Sequence, residues 1–249
     1  MDRFPQWLDA LDEKYRRDLT FQEVRRGVQA LSSLYVERRS RLGQGAALDG
    51  AGKRAAFASY FGPLHFLLVR EIVRSLGAAD RPFPLLLDLG CGTGVGGAAW
   101  ASGVSPSPRV VGVDRNPWAA KEAAWTYGRF GLDGSAKALD VNTFKAPGGT
   151  AILAAFILNE LPDDVRERWQ ASILASATRG YPVLVVEPIA KKLSPWWDAW
   201  AEAFVAAGGR SDEWRFRVEL PERLALMDKA AGLDHRELTG RSLWLAGSG

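Results

Sequence analysis

A glycine-rich segment follows directly on an apolar run that ends in an acid. The run 85–89 contains Asp88, and five of the eight residues from 90 to 97 are glycine. An apolar run bounded in this way is typical of a buried parallel strand. Glycines after it allow a tight turn and a close approach of the backbone to a ligand. A helix beginning near Ala98 would direct its free N–H groups at that ligand. The segment therefore predicts a site for a nucleotide-type cofactor.

Two further acidic residues stand at the ends of runs that are typical of parallel strands. Asp114 ends the run 109–113, where a carboxylate can accept hydrogen bonds from two ribose hydroxyls. Asp140 ends the next strand-like run. The glycine spacing also fits a dinucleotide site. However, the strand ends in Asp88, which would repel a pyrophosphate and suits a cofactor with an ammonium group.

The candidate reacting residues are Asn159 and Glu160, which follow the long apolar run 150–158. Ligands of open α/β sheets lie at the carboxyl ends of the strands, so this position faces the predicted crevice. Glu160 could accept a proton or bind an amine or hydroxyl, and Asn159 could orient that group. Alternatively, either side chain could cap the helix that begins at Pro162.

The spacing of apolar residues predicts the elements that hold these side chains. Helices come first, with a capping box at Thr20–Glu23 and an interruption at Gly62-Pro63. Beyond the strands that end at Asp88 and Asp114, the predicted elements are strands at 136–139, 150–158 and 181–186, helices at 162–177, from Ser194 and at 219–231, and a closing hairpin of strands at 236–239 and 242–246.

In this order the motifs resemble the class I S-adenosylmethionine-dependent methyltransferases. Asp88-x-Gly90-x-Gly92-x-Gly94 resembles their first motif, Asp114 their ribose-binding acid, and Asp140-Val141 their adenine-edge position. The resemblance implies an α/β fold with a Rossmann-like seven-stranded sheet, an enzyme that transfers a methyl group, and S-adenosylmethionine as its cofactor. The cofactor contacts that it implies are Asp88, Gly90, Cys91, Gly92, Gly94, Asp114, Arg115, Asp140, Val141 and Phe156.

A narrower resemblance covers residues 19–190. Short segments at 19–35, 55–67, 156–162 and 185–188 are similar, in order, to the methyltransferase-like family associated with the small ribosomal subunit. This similarity implies an acceptor in RNA or at a ribosome-associated site. The chain departs from that family because no cysteine follows Cys91, so the family's cysteine-rich iron–sulfur site has no counterpart here.

The segment 14–54 carries ten basic and four acidic residues, an excess that could meet phosphates in a salt-dependent way. Its basic residues include the pairs Arg16-Arg17, Arg25-Arg26, Arg38-Arg39 and Lys53-Arg54, together with Arg41. The alternative is a solvated helix face. Three hypotheses follow: a methyltransferase that acts on RNA or a ribosome-associated site, a small-molecule methyltransferase with a helical lid, and a non-catalytic assembly factor that binds the cofactor.

The composition is ordinary for a globular protein. The 249 residues carry a net charge of +3 and 47% hydrophobic residues, without an apolar stretch long enough to span a bilayer. The single cysteine excludes an internal disulfide and a cysteine-based metal cluster, so no metal is expected. We expect a cytoplasmic protein with an N-terminal helical lobe, 1–80, and a cofactor-binding methyltransferase domain, 81–249.

Aromatic and imidazole side chains near these segments have two interpretations. Trp196, Trp197 and Trp200 either line an acceptor cleft or stack on bases, or they belong to the core, as aromatics at helical spacing usually do. His65 either reaches the donor pocket or is a satisfied core histidine.

Overall fold

A computed structural model describes residues 2–37, 48–189 and 194–247. The chain divides into two compact units, Met1–His65 with Phe216–Leu238 and Phe66–Arg215 with Thr239–Gly249. The predicted division at residues 80 and 81 therefore falls inside the second unit. The pattern of apolar residues does not show that the late segment Phe216–Leu238 belongs to the same unit as Met1–His65. Of the predicted basic segment, Arg38, Arg39 and Arg41 lie outside the described residues.

Nine helices and seven strands are described. The helices are α1 (Phe4–Arg16), α2 (Phe21–Glu37), α3 (Ala51–Ala56), α4 (Gly62–Leu76), α5 (Val95–Ala101), α6 (Pro117–Arg129), α7 (Asp163–Thr178), α8 (Trp197–Ala206) and α9 (Glu222–Ala231). The strands are β1 (Leu85–Leu89), β2 (Arg109–Asp114), β3 (Gly134–Ala138), β4 (Ala151–Ala155), β5 (Val183–Glu187), β6 (Arg210–Arg217) and β7 (Glu237–Leu245).

The strands form one seven-stranded sheet in the order β3-β2-β1-β4-β5-β7-β6. The first five strands pair in parallel, and β7 runs antiparallel to β5. The order reverses between β1 and β4, and a ligand crevice lies at the carboxyl ends of strands at such a point. The predicted α/β fold with a Rossmann-like seven-stranded sheet is confirmed.

The predicted closing hairpin is wrong, because its two strands are the single strand β7. Gly240, which the sequence indicates as a break, lies inside that strand, where a Cβ would come within 3.1 Å of Leu68 Cδ2. The neighbour of β7 at the sheet edge is β6, Arg210–Arg217. Its alternation of exposed and partly buried residues suits an edge strand, but its five charged residues gave no apolar signal.

The fourth strand is shorter than predicted. It ends at Ala155, and Phe156 then adopts a left-handed conformation with φ of +61°. This turns the chain into a 3₁₀-helix at Leu158–Glu160 instead of extending the strand to residue 158. The predicted reacting residues therefore lie on a turn of their own.

In the first unit, the predicted capping box is present at the start of α2. The Thr20 backbone N–H donates to Glu23 Oε2 at 2.8 Å, and the Glu23 N–H donates back to Thr20 Oγ1 at 3.4 Å. These two bonds satisfy N–H groups that the first turn of a helix leaves without partners. The start of α2 was thus readable from the sequence.

Gly62-Pro63 does not interrupt the helical path, contrary to the prediction. Residues Phe57–Phe61 form a π-helical turn between α3 and α4, and the Gly62 N–H donates to the Phe57 carbonyl. Proline in a helix lacks an N–H donor, and its ring collides with the carbonyl one turn earlier. The wider π-helical turn before Pro63 accommodates the missing hydrogen bond and makes room for the ring. No helix among the described residues is long and apolar enough to cross a membrane.

Candidate functional site

The glycine loop between β1 and α5 has backbone dihedral angles that residues with a side chain rarely adopt. Gly90, Gly92 and Gly94 have φ values of +64°, +51° and +78°. A Cβ on Gly90 would lie 2.4 Å from Ile157 Cγ1, and one on Gly94 would lie 2.8 Å from Ala123 Cα. The loop is therefore held against the turn after β4 and against α6, and glycine is required at both positions.

Asp88, near the end of β1, is buried, and its carboxyl group accepts hydrogen bonds from α5 and α6. Its Oδ2 accepts hydrogen bonds from the Gly97 N–H at 3.0 Å and from the Tyr127 hydroxyl at 2.8 Å. Burial raises the pKa of Asp88 to about 7, although these two donors oppose the rise. Asp88 thus fastens α5 and α6 to the sheet, and its contact with an ammonium group stays a prediction.

Asp114, at the end of β2, contacts the glycine loop directly. Its Oδ2 accepts from the Gly92 N–H at 2.9 Å and its Oδ1 from the Asn116 N–H at 2.8 Å. Burial raises the pKa of Asp114, and these backbone donors oppose that rise. Because each oxygen accepts one hydrogen bond and the side chain is only partly buried, lone pairs remain for two hydroxyl groups.

Cys91 belongs to the glycine loop, and its side chain is buried. It is 6% exposed, and burial raises the pKa of its thiol well above the ordinary value. A Cβ on Gly112 would come within 2.9 Å of its sulfur and 2.7 Å of the Tyr127 hydroxyl. A buried thiol with a raised pKa is a poor nucleophile.

The other predicted cofactor residues lie at strand ends. Asp140 is exposed, and its Oδ1 accepts from the Asn142 N–H at 2.9 Å. Val141 is buried, and its carbonyl accepts from the Trp169 indole N–H at 3.1 Å. Phe156 is the only non-glycine residue with a positive φ among the residues described. Such strain tends to persist at functional sites, where neighbouring contacts hold it.

The turn that carries Asn159 is bound to β5 by Glu187, a residue that the sequence analysis did not single out. Glu187 Oε1 accepts from the Leu158 N–H at 2.9 Å and the Asn159 N–H at 3.4 Å. Its Oε2 accepts from Asn159 Nδ2 at 2.7 Å. The acid at the end of a predicted strand, before Pro188, was the available signal.

Three more side chains bind the same turn, Arg166 from α7 and Ser194 and Trp196 from the residues before α8. Asn159 Oδ1 accepts from the Ser194 hydroxyl at 2.6 Å and the Trp196 indole N–H at 3.0 Å. Arg166 donates to the carbonyls of Leu158 and Leu161 at 3.2 and 2.9 Å. The Asn159 amide is therefore bound by Glu187, Ser194 and Trp196, and no side chain among the described residues caps the start of α7. The role of Asn159 in orienting an acceptor stays a prediction.

Glu160 differs from its neighbours because its carboxylate takes part in no hydrogen bond or ion pair with the residues that the structure describes. It is exposed on the turn. Desolvation by surrounding protein raises its pKa, the Arg115 guanidinium lowers it, and the Asp114 carboxylate raises it further. Glu160 therefore lies within electrostatic reach of Asp114 and Arg115, at the end of β2.

Trp197 and Trp200 lie in the core, and Trp196 packs against that core from its edge. Trp197 and Trp200 are 5% and 3% exposed and belong to the core that includes Trp169. Trp196 is partly exposed, with the Arg166 guanidinium 5.3 Å from its ring centroid. Desolvation lowers the pKa of His65 to about 4 and His235 adds to this, so its imidazole is neutral at pH 7. Among the described residues no cluster of His, Cys, Asp and Glu could hold a metal ion.

No family model matches the sequence, and no curated protein matches it. Among solved structures, mitomycin 7-O-methyltransferase MmcR has a TM-score of 0.51 at 14% identity over 87% of this chain and 60% of its own. An O-methyltransferase family protein from Burkholderia thailandensis has 0.51 at 16%, over 82% and 62%. The N-methyltransferase NodS from Bradyrhizobium japonicum, solved with S-adenosyl-L-homocysteine, has 0.49 at 14%, over 72% and 86%. At these identities the two likenesses with a TM-score of 0.51 show the fold alone.

Proposed function

We propose that the chain is an S-adenosylmethionine-dependent methyltransferase. The observation that carries the proposal is the meeting of three features at one edge of the sheet. The glycine loop follows β1, Asp114 binds that loop from β2, and the carboxylate of Glu160, on the turn after β4, is close enough for the Asp114 charge to raise its pKa. This edge is where open α/β sheets bind their ligands.

The residues around the loop suit this cofactor. Asp114 retains acceptor capacity for two ribose hydroxyls, and the exposed Asp140 with Val141 would lie at the adenine edge. The remaining predicted contacts are Gly90, Cys91, Gly92, Gly94, Arg115 and Phe156. When bound, S-adenosylmethionine supplies a methyl group on a positively charged sulfur.

Glu160 would handle the acceptor. Its carboxylate is free to bind an amine or hydroxyl, and its raised pKa makes it a better base than an ordinary glutamate. Holding both reactants at reactive distance can itself contribute up to roughly 7–11 kcal/mol, so a methyl transfer does not depend on a large catalytic constellation. Asn159 supports this role by fixing the turn from which Glu160 projects.

The acceptor that we propose is RNA or a ribosome-associated site, encountered in the cytoplasm. The basic excess of segment 14–54 and the narrower family resemblance support it. Two of these basic residues already have acidic partners, because Arg16 pairs with Asp12 and Arg17 with Glu13. Their charges therefore support RNA binding less than the composition alone does. A small-molecule acceptor remains the main alternative.

The test begins with calorimetric titration of S-adenosylmethionine, with NADH as the control cofactor. Binding of NADH instead, or of neither, overturns the proposal. The protein is then incubated with methyl-labelled donor and separate RNA and small-molecule fractions of a cell extract. We expect label in RNA, and RNA binding that weakens steeply with salt. Label in small molecules would overturn the acceptor assignment, and tight donor binding without any transfer would indicate an assembly factor.

A further inference from the structure

Glu187 lies at the centre of the contacts that hold the Asn159 turn. It is 1% exposed, and its three hydrogen-bond donors are the Leu158 N–H, the Asn159 N–H and Asn159 Nδ2. A buried carboxyl group is costly unless it is hydrogen-bonded. Burial raises the pKa of Glu187 to about 8, and the two backbone N–H donors oppose that rise. All three donors belong to the turn, so the contacts of Glu187 fix the position of this turn against β5.

Asn159 transmits this constraint to α8. Its amide nitrogen donates to Glu187, and its amide oxygen accepts from the Ser194 hydroxyl and the Trp196 indole N–H. Because the nitrogen is only a donor and the oxygen only an acceptor, one orientation of the amide satisfies all three partners. Glu187, Asn159 and Trp196 thus form a continuous chain of hydrogen bonds.

Arg241 lies close enough to Glu187 to oppose the rise of its pKa, without a hydrogen bond to the carboxyl group. It lies opposite Glu187 in the β5–β7 pairing and is 3% exposed. Its guanidinium stacks 3.9 Å from the Trp197 ring centroid, and its Nε and Nη2 atoms are buried without a hydrogen-bond partner. Since Arg241 does not bond to Glu187, both carboxylate oxygens remain for the turn.

We propose that Glu187 is a positioning residue for methyl transfer, which holds the 158–160 turn so that Glu160 projects into the acceptor edge. The inference rests on the proposed function. Glu187 itself does not touch the reacting groups, because it is buried and both oxygens are occupied by the turn.

The test replaces the carboxylate by an amide of the same shape. In Glu187→Gln, the side-chain oxygen can still accept from the Leu158 and Asn159 N–H groups, but its NH₂ faces the NH₂ of Asn159. This conflict should release Asn159 and shift the indole N–H resonance of Trp196, which Trp196→Phe identifies. We expect kcat to fall by ~10–100-fold, as for a misplaced reacting group, with donor affinity unchanged. Asp164→Asn, which removes an exposed carboxylate from the first turn of α7, should change neither.

A second substitution distinguishes positioning from general damage. Combining Glu187→Gln with Asn159→Asp exchanges donor and acceptor between the two side chains, so the hydrogen bonds to Ser194 and Trp196 can form again. The double variant should recover the Trp196 resonance and most of the lost turnover. An unchanged resonance and turnover in Glu187→Gln, or no recovery of the resonance in the double variant, would overturn the inference. The Trp196 resonance can be measured without S-adenosylmethionine or a methyl acceptor. It therefore tests the inference even if the wild-type protein transfers no methyl group.

Discussion

Two carboxylates at the same edge of the sheet, Asp114 and Glu160, have opposite surroundings. Asp114 accepts a backbone N–H on each oxygen, whereas the side chain of Glu160 has no such partner among the described residues. The first is fixed in place and suited to hold hydroxyl groups, and the second is free to bind or deprotonate another molecule. The difference separates cofactor binding from acceptor chemistry, so the two residues can be tested independently.

Asp114→Ala should weaken donor binding. The ribose hydroxyls would lose a charged acceptor, which corresponds to about 1.5–3 kcal/mol. Calorimetric titration of wild type and variant with S-adenosylmethionine measures this directly. Asp133→Ala, which removes an exposed carboxylate before β3, serves as the control and should leave affinity unchanged. Equal affinities for wild type and Asp114→Ala would show that this carboxylate does not bind the ribose.

Glu160→Gln should retain donor binding and lose turnover. If Glu160 removes a proton, the loss should be about 10²–10⁴-fold. Only the ionised form acts as a base, so wild-type kcat should increase as pH rises through the raised pKa of Glu160. That limb of the pH profile should be absent from Glu160→Gln. Wild-type kcat in the variant would assign Glu160 no role in the reaction.

At the scale of elements, β1, α5 and α6 are joined through the single carboxylate of Asp88. The Gly97 N–H and the Tyr127 hydroxyl both reach the same oxygen. This arrangement needs a residue without a side chain on the face of α5 that lies against Asp88. A Cβ on Gly97 would lie 2.5 Å from Asp88 Oδ2.

Gly97→Ala should therefore destabilise the protein although alanine favours helices. Overpacking against a buried group costs about 1–3 kcal/mol. Gly128→Ala is the matched control, because a Cβ there meets nothing within 4 Å and the residue lies in α6. The control should stabilise by about 0.5–1 kcal/mol. Urea unfolding of both variants measures the two effects, and a stabilised Gly97→Ala would refute the packing argument.

Local patterns predicted the elements that carry the cofactor motif, because their signals lie within a few residues. The strand at Asp88, the glycine loop and the strand at Asp114 each have a bounded apolar run or a positive-φ glycine. The turn at Asn159 was harder. The hydrogen bonds of Glu187 join residues 28 and 29 positions apart, and no local pattern encodes such pairings.

The edge of the sheet shows the same limit. β6 carries charged residues, and its place beside β7 becomes visible only in the folded chain. Gly240 lies between the two predicted strands, but it belongs to β7 and packs against Leu68. Propensity describes one segment at a time, whereas edge strands depend on their neighbours. Sequence patterns thus predicted the structure correctly where it is determined by residues close together in the sequence.

At the scale of the whole molecule, the first unit is assembled from two segments far apart in sequence. Tyr60 donates to Asp228, and the His235 N–H donates to the other oxygen of Asp228 at 2.9 Å. Arg223 pairs with Asp9 and Asp12 across the same separation. The buried bonds to Asp228 contribute more than the exposed ion pairs, because water screens the latter. The segment Phe216–Leu238 is therefore an integral part of that unit.

The contribution of Asp88 to the stability of the whole protein should fall as pH rises from about 4 to 7. Burial raises the pKa of this group from 3.8 to about 7, so the folded protein holds a proton that the unfolded chain releases. The stabilisation is complete below the unfolded pKa and is lost as pH rises through the folded one, at most about 4 kcal/mol. Asp88→Asn cannot ionise, so its unfolding free energy should change less across this window, whatever its absolute value. Asp133→Asn should follow the wild-type slope, and urea titrations between pH 4 and 8 would contradict the assignment if the slopes of Asp88→Asn and wild type were equal.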